Sequence, residues 1–355
     1  MLRDIKVIIT AAGSPSCPGL IQCLKNNGER NVTVIGTDMK ADATIKQMAD
    51  EVFLVPPASA NNYVDALLKI CKEEHVDVLI PGISQELPKL QARRDEFEAV
   101  GTKVSVSAGE GLLIANDKIR LYQYMKEHGF KIPEFRTAQS IDEFVSACTD
   151  IGYPSKAICV KMKDGSGSRG IRLIDPSKSR FEIFAGEKPN SFFTTYEDML
   201  SILKEAPEMP ELMVMDYLPG MEYSVDLLAD HGKTLYIVGR ESNIILASIP
   251  QEATLVYNEE AYELSKKIVE SLCLDGNVDL DFKFDEDGHP QLMEINPRLA
   301  ATLSVIAAGG VNLLYLRVKQ LLGEELPELT INYGVKLKRR YHELYCDKDG
   351  NPIKL

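Results

Sequence analysis

An apolar stretch near the end of the chain carries polar side chains at alternate positions. Its sequence, VDLDFKFDEDGHPQLMEINPR, predicts two short strands joined by an acidic turn. Glu294 and Asn296 project from one face of the second strand, because residues two apart on a strand share a face. A hairpin partner places Asp279 or Asp281 opposite them. Carboxylate and amide oxygens are ligands that Mg²⁺ prefers, and Arg298 adds a cation suited to phosphate, so the pattern indicates a magnesium–nucleotide site.

The plainer interpretation of an acidic hairpin is a solvated turn, and it applies to Asp285 and Asp287. Glu294 and Asn296 differ, because the residues before and between them are apolar. A polar group in such a strand requires a partner or a ligand. A structural partner and a metal ion explain this pair equally well at this point.

A glycine- and serine-rich loop separates two further predicted strands. It matches a bare GxGxxG pattern, but a strand follows it at 171–174, whereas a dinucleotide fingerprint runs into a helix. Glycines in a hairpin loop let backbone N–H groups approach phosphate oxygens, and serine hydroxyls add donors. An ordinary surface hairpin is the alternative. The loop residues expected to contact phosphate are Gly165, Ser166, Gly167, Ser168 and Gly170.

Two lysines are candidates for binding the same phosphates. Lys161 lies on the strand that enters the loop, and Lys118 begins a predicted helix after Asn116 and Asp117. A solvated lysine beside a helix cap is the plainer explanation of Lys118. Protein kinases also combine a glycine loop with a lysine, but this sequence contains neither an HRD nor a DFG motif.

Composition excludes several classes of protein. The chain has 355 residues and 45% hydrophobic content, enough for about two or three packed domains. The net charge of −13 argues against a broad nucleic-acid-binding surface. No stretch is apolar enough to span a membrane, and the N-terminus is typical of a first strand, not of a signal peptide. The seven cysteines form no CxxC pair, which predicts reduced thiols and a cytoplasmic location.

Residues 5–107 alternate predicted strands and helices, which is typical of a parallel α/β sheet. The loop AAGSPSCPG follows the first strand, and the second strand ends at Asp38, as in a dinucleotide-binding fold. Gly13 and Gly19 do not have the GxGxxG spacing, so NAD binding is disfavoured. Further along, the polar segment 175–210 is predicted to be an insertion or a mobile flap.

Five separated motifs in this order resemble the ATP-grasp superfamily, in particular its carbamoyl-phosphate-synthase-like branch. They are NDK, VK with GSGSRG, DYLPGxEYSVD, DFKF and MEINPR. The resemblance covers nearly the whole chain and implies a mixed α/β and α+β protein. A Rossmann-like, parallel-sheet pre-ATP-grasp domain at 1–113 would precede a two-lobed ATP-grasp domain at 114–330. The small lid lobe would cover about 136–214, and 331–355 would form a C-terminal tail.

The resemblance also implies roles for individual residues. Lys118 and Lys161 would bind the ATP phosphates under the glycine loop. Asp281, Glu294 and Asn296 would hold Mg²⁺, or alternatively Mn²⁺, with Glu294 bridging two ions.

Further roles concern the nucleoside and the transferred group. Asp216, Tyr217 and Leu218 would lie against adenine, and Glu222 would bind the ribose hydroxyls. The transferred phosphoryl group would be neutralised by two catalytic arginines, Arg240 and Arg298.

Some residues depart from the family pattern. Asp216 stands where several members carry Glu, which implies a weaker or backbone-only contact with adenine. The spacing from Pro154 to Lys161 is longer than usual, so Lys156 and Lys163 remain alternatives for the phosphate-binding lysine. The third metal ligand also stays open between Asp279 and Asp281.

The function implied is that of an ADP-forming ligase, which activates a carboxylate as an acyl phosphate for attack by an amine or ammonia. Phosphorylation of bicarbonate or carbamate is one alternative, and a non-catalytic nucleotide-binding module is another. The partners expected are small-molecule substrates, with no nucleic acid and no membrane, and the resemblance allows a homodimer. The substrates should contact Ala11–Gly19, Pro81–Glu86, Arg240–Asn243 and Leu299–Gly310.

Overall fold

The computed structural model describes residues 2–40, 45–163, 169–246, 249–340, 343–348 and 352–353. By its internal contacts the chain divides into two compact units. Unit 1 consists of Met1–Asn116, Met221–Phe282 and Ile295–Leu355, and unit 2 consists of Asp117–Gly220 and Lys283–Glu294. None of the helices among the described residues is long and apolar enough to cross a membrane.

Unit 1 begins with a parallel five-stranded sheet in the order β3-β2-β1-β4-β5. Its strands are β1 (Ile5–Thr10), β2 (Val32–Asp38), β3 (Glu51–Leu54), β4 (Val78–Ile80) and β5 (Lys103–Val104). Its helices are α1 (Cys17–Lys25), α2 (Tyr63–Glu74), α3 (Leu87–Ala92), α4 (Arg94–Ala99) and α5 (Glu110–Ala115). The central strand is an apolar run because helices cover both faces of a parallel sheet. The predicted parallel α/β sheet is confirmed.

Unit 2 contains a five-stranded sheet in the order β6-β10-β7-β8-β9. Its strands are β6 (Phe135–Ala138), β7 (Ile158–Met162), β8 (Ile171–Ile174), β9 (Phe193–Thr194) and β10 (Leu212–Asp216). Its helices are α6 (Lys118–Glu127), α7 (Ile141–Ile151), α8 (Arg180–Gly186) and α9 (Tyr196–Lys204). Strands β7 and β8 are antiparallel, with Lys161 opposite Ile171, so the glycine loop joins a hairpin as predicted.

The segment 175–210, predicted to be an insertion or a mobile flap, is regularly folded over much of its length. The segment contains α8, β9 and α9, and Met199 and Leu203 of α9 are buried in the apolar core of unit 2. Thr195 caps α9 by accepting a hydrogen bond from the backbone N–H of Asp198. Buried apolar side chains and a capped helix make this segment part of the domain.

A third sheet has six strands in the order β15-β14-β11-β12-β13-β16. Its strands are β11 (Glu222–Asp230), β12 (Lys233–Leu246), β13 (Ile249–Leu255), β14 (Gly276–Phe284), β15 (Pro290–Asn296) and β16 (Lys336–Lys338). The helices nearby in sequence are α10 (Glu259–Ser271), α11 (Leu303–Ala308) and α12 (Leu313–Leu321), and β17 (Tyr345–Cys346) pairs only with β18 (Pro352–Ile353) among the described strands. Because α1, α11 and α12 share one apolar core, the N-terminal and C-terminal parts of unit 1 fold together.

Candidate active site

The candidate active site of unit 1 lies on neighbouring strands that are otherwise apolar. In β11, Ser224 and Asp226 alternate with the buried residues Val225 and Leu227. They share one face of the strand, and Arg240 of β12 lies directly opposite Ser224 in the antiparallel register. The sheet therefore collects polar side chains on one face.

Arg240 lies at the centre of a buried ionic network. Its Nε donates to Asp226 Oδ2 at 2.7 Å, and its Nη2 donates to Asp279 Oδ1 at 3.1 Å. The three residues are 3%, 1% and 5% exposed, respectively, so the charges are held away from water. Burial lowers the pKa of Arg240, but Asp226, Asp279 and Asp281 oppose this effect, and the net shift is upward. The arginine therefore stays charged and neutralises two carboxylates.

Asp226 lies in the least solvated part of this network. Its Oδ1 has no hydrogen-bond partner among the described residues, although Oδ2 accepts from Arg240. Burial raises the pKa of Asp226, and the charge of Asp281 raises it further, while Arg240 lowers it. An under-satisfied buried carboxylate is expensive, so Asp226 depends on Arg240 to remain ionised.

The predicted metal ligands of unit 1 lie close together. Asn296 Nδ2 donates to Asp279 Oδ2 at 3.4 Å and to Asp281 Oδ2 at 3.2 Å. Ser224 Oγ donates to Asp281 Oδ1 at 2.6 Å. Two carboxylates that converge on one amide are hard oxygen donors of the kind that Mg²⁺ takes, so the donor set fits this ion. Asp281 is the more accessible carboxylate, whereas Asp279 is paired with Arg240, and this difference favours Asp281 as the ligand.

Arg298 is held beside Asn296. Its Nη2 donates to Asn296 Oδ1 at 3.0 Å, its Nε donates to Ser84 Oγ at 3.1 Å, and its Nη1 donates to the Leu299 carbonyl at 2.8 Å. These contacts fix the guanidinium against the polar face, as expected for a cation that recognises an anionic group.

In unit 2, three lysines were candidates for phosphate binding, and their surroundings differ. Lys156 forms an ion pair with Asp216, and Lys163 pairs with Glu211 at 2.8 Å. Lys161 is only 4% exposed, and its ammonium has no ion-pair or hydrogen-bond partner among the described residues. Because Lys156 and Lys163 are already paired with carboxylates, the contacts favour Lys161 as the lysine that meets the negative charge of a phosphate.

Lys118 and Glu294 face each other in the same unit. Their charged groups are 3.6 Å apart, and Lys118 is the first residue of α6. The Asp117 side chain caps this helix by accepting hydrogen bonds from two backbone N–H groups, as the sequence predicted. Glu294 lies two residues before Asn296 on β15, and its role as a metal ligand stays a prediction.

The predicted adenine-binding segment follows β10. The side chain of Asp216 pairs with Lys156 and accepts a hydrogen bond from the backbone N–H of Glu134 at 3.1 Å, and its own N–H donates to the Glu134 carbonyl at 3.0 Å. The predicted contact of this segment with adenine stays a prediction. Lys283 Nζ lies 5.7 Å from the ring centre of Tyr217 and donates to the Leu218 carbonyl at 3.4 Å.

The remaining predicted residues are placed as follows. Gly165, Ser166, Gly167 and Ser168 lie outside the described residues. Gly170 has a φ of +72°, and its carbonyl accepts a hydrogen bond from the backbone N–H of Met162, so it closes the hairpin. Glu222 is exposed at the start of β11 in unit 1.

Sequence reasoning assigned no role to Ser224, Asp226 or Lys283. The signal was present, because Glu222, Ser224 and Asp226 recur every second residue in an apolar strand. Lys283 similarly follows Asp281 by two positions. This spacing of two residues places each of the three side chains on the same strand face as a predicted site residue.

Two family descriptions match parts of the chain. Residues 208–340 match "ATP-grasp in the biosynthetic pathway with Ter operon", and residues 7–105 match "PylC-like, N-terminal domain". The chain is also 22% identical, over 317 residues, to a carbamoyl phosphate synthase large chain from Pseudothermotoga lettingae. That alignment covers 85% of this chain but only 26% of the relative, so the chain spans about a quarter of the relative's length.

Solved structures show the same fold. An N5-carboxyaminoimidazole synthetase from Staphylococcus aureus complexed with ADP superimposes with a TM-score of 0.66 and 15% identity, covering 92% of this chain and 80% of that one. A biotin carboxylase–ATP analogue complex from Campylobacter jejuni gives a TM-score of 0.65 and 17% identity, covering 92% and 74%. The fold expected from the sequence motifs is confirmed.

Proposed function

We propose that this chain is an ADP-forming ligase of the ATP-grasp type that joins a carboxylate to an amine. The family matches over residues 208–340 and 7–105 and the similarity to a carbamoyl phosphate synthase large chain support this proposal. The observation that carries this proposal is the polar face of unit 1. There, the carboxylates of Asp279 and Asp281 converge on the Asn296 amide, next to the two arginines, Arg240 and Arg298. No serine or cysteine nucleophile is needed for such a reaction.

The proposed reaction has two steps. A carboxylate oxygen of the substrate attacks the γ-phosphorus of ATP, the bond from that phosphorus to the β,γ-bridging oxygen breaks, and ADP leaves. The amine nitrogen then attacks the acyl carbon, the carbon–oxygen bond to phosphate breaks, and the nitrogen loses a proton to solvent. Each step places negative charge on phosphate oxygens, so fixed cations stabilise it.

Residues of unit 2 are proposed to bind the nucleotide. Lys161 and Lys118 supply positive charge for phosphates, and the backbone at 216–218 binds the base. In unit 1, Asp281 and Asn296 would hold Mg²⁺, which, when bound, neutralises phosphate charge. Arg240 and Arg298 would neutralise the transferred phosphoryl group. Arg298 is also proposed to bind and orient the acceptor carboxylate, because its guanidinium is already fixed by hydrogen bonds.

The test uses purified protein, ATP, Mg²⁺ and a panel of carboxylic acids with hydroxylamine as a general nucleophile. We expect ADP and a hydroxamate, because hydroxylamine displaces phosphate from an acyl phosphate. Asp281→Asn should lower the rate by on the order of a hundredfold, because it removes an anionic oxygen donor. The matched control is Asp287→Asn, in the exposed turn, which should retain the rate. Formation of AMP and pyrophosphate would contradict the mechanism.

Phosphorylation of bicarbonate is the second candidate function. The sequence similarity to carbamoyl phosphate synthase large chains favours it. A bicarbonate-dependent release of ADP without any organic acid would select this alternative.

A further inference from the structure

Unit 1 contains a cavity of about 170 Å³ at the ends of β1 and β4. We propose that this cavity binds the carboxylic acid substrate and that the acid is small and aliphatic, with its carboxylate at Arg298. The inference rests on the proposed ligase function and adds the class of acid.

The cavity has the position expected of a ligand site in a parallel sheet. Thr10 ends β1, Ala11 follows it, and Gly82 follows β4 by two residues; all three line the cavity. Strand β1 lies next to β4 in the sheet although two strands separate them in sequence, so the chain order reverses here. The loops leaving such neighbouring strands diverge and open a crevice at the carboxyl ends of the strands.

Most of the cavity wall is apolar. Ile9, Leu20, Ile249 and Leu299 line it, and the described lining residues include no Asp or Glu. An apolar wall without acidic groups favours an aliphatic body and disfavours a second carboxylate or a strongly hydrated cation.

The only charged side chain among the described lining residues is Arg298. Its three acceptors, on Ser84, Asn296 and Leu299, use fewer N–H groups than a guanidinium offers, so an anion can still be bound. Because Arg298 also contacts Asn296, a carboxylate held there lies beside the polar face where phosphoryl transfer is proposed.

The other polar end of the cavity is neutral. Ser14 Oγ and Ser16 Oγ are 2.9 Å apart and share a hydrogen bond. The start of α1 does not offer an anion site, because Cys17 and Gly19 donate their N–H groups to the carbonyls of Ser14 and Ser16 and Pro18 has none. The carboxylate is therefore directed to Arg298, and the serines suit a hydroxyl on the acid.

Cavity size separates this acid from bicarbonate. A water needs about 10–15 Å³ measured in the same way, so 170 Å³ accommodates several carbon atoms besides a carboxylate. Bicarbonate would leave the apolar wall without a partner, which forfeits the contacts that the wall offers.

The experiment measures ADP release with propionate, 2-hydroxyisovalerate, valine, glutarate and bicarbonate, and hydroxamate formation with the organic acids. We expect a branched aliphatic acid to exceed both glutarate and bicarbonate by about tenfold or more in kcat/KM, since burial of each methylene discriminates by roughly 10–200-fold. Ile249→Ala should shift the preference to longer acids, and Ala301→Leu should shift it to propionate by about tenfold. The matched control, Ala185→Leu on the exposed face of α8, should leave the preference unchanged.

Titration calorimetry of the acids without ATP distinguishes the two proposals. In one outcome, the acids bind, Ile249→Ala and Ala301→Leu alter this binding, and no substrate promotes ADP release. That outcome would support the cavity proposal and overturn the ligase function. Equal or greater stimulation by bicarbonate, or an acid preference that neither variant changes, would overturn the cavity proposal. Because Ile249→Ala only removes atoms, it keeps the test decisive if Ala301→Leu fails to fold.

Discussion

Arg240 holds a buried ionic network together. It neutralises Asp226 and Asp279 in a part of the sheet from which water is nearly excluded. Arg240→Met should lower the free energy of unfolding by about 3–5 kcal/mol, because it leaves two buried carboxylates without their counter-charge. Urea denaturation measures this loss. Arg180→Met is the matched control: its ion pair with Asp198 is exposed, so the change should stay within about 1 kcal/mol, and an equal loss in both variants would contradict the argument.

Lys161 allows a second test at the scale of the residue. Lys161→Met should weaken ATP binding by roughly 10–100-fold, because a charge-assisted hydrogen bond to phosphate contributes about 1.5–3 kcal/mol. Fluorescence of a bound ATP analogue measures the affinity. Lys163→Met is the comparison, because its ammonium is already paired with Glu211. If Lys163→Met weakened binding more than Lys161→Met, Lys163 would be the phosphate-binding lysine.

The turn after β4 is organised by one buried carboxyl group. Glu86 Oε1 accepts hydrogen bonds from Thr10 Oγ1 and the N–H groups of Gly82 and Ile83, and Tyr63 donates to Oε2. The turn thereby presents Ser84 to Arg298, and Gly82 has no room for a side chain, since a Cβ would lie 2.4 Å from the Thr10 carbonyl oxygen.

The titration of Glu86 should affect stability. Burial raises its pKa above the ordinary value of 4.5, with its hydrogen bonds opposing the shift. A raised carboxyl pKa means that the folded state binds the proton more tightly than the unfolded state. The stabilisation from this proton is therefore complete below pH 4.5 and is lost as the pH rises through the folded-state pKa. Glu86→Gln keeps the shape of the side chain but does not titrate. The difference in unfolding free energy, variant minus wild type, should therefore increase as the pH rises over that range. Denaturation at a series of pH values checks this, and a constant difference would contradict it.

The order of elements could be predicted from periodicity, but their extents and partners could not. Strand β12 runs over Lys233–Leu246, although polar residues such as Glu241 and Ser242 weaken its local apolar pattern, because pairing with β11 and β13 supports them. The segment at 175–210 looked irregular because Ser, Pro and Glu are frequent in it and mask the apolar residues of α9. Its buried face became recognisable only when packed against the core.

The composition of the site depends on contacts far apart in sequence. Motifs identified Arg298, Asn296, Asp281 and Lys161, because the strands that carry them have distinctive local patterns. The contact of Arg298 with Ser84 spans 214 positions, and no local pattern encodes which distant loop meets which strand. The sequence therefore predicted the chemical groups, whereas their hydrogen-bond partners, including Ser224 and Asp226, required the fold.

The C-terminal segment is integral to unit 1. Strand β16 pairs with β13, and the partly buried Ile331, Val335 and Leu337 pack against the main core of the unit. Arg339 then donates to the carbonyls of Pro250 and Ala301, which ties together the two segments that carry one wall of the cavity. Residues beyond 342 differ, since β17 and β18 pair only with each other among the described strands.

Truncation before β16 should therefore destabilise the chain, whereas truncation after Arg339 should not. A chain ending at residue 330 loses these apolar contacts, a cost of about 3–6 kcal/mol, which lowers the melting temperature by on the order of 10 °C. A chain ending at residue 342 keeps β16 and Arg339 and should melt within about 2 °C of the full chain. Scanning calorimetry of both chains makes the comparison. If the chain ending at residue 330 were as stable as the chain ending at residue 342, β16 and its apolar residues would not support the core.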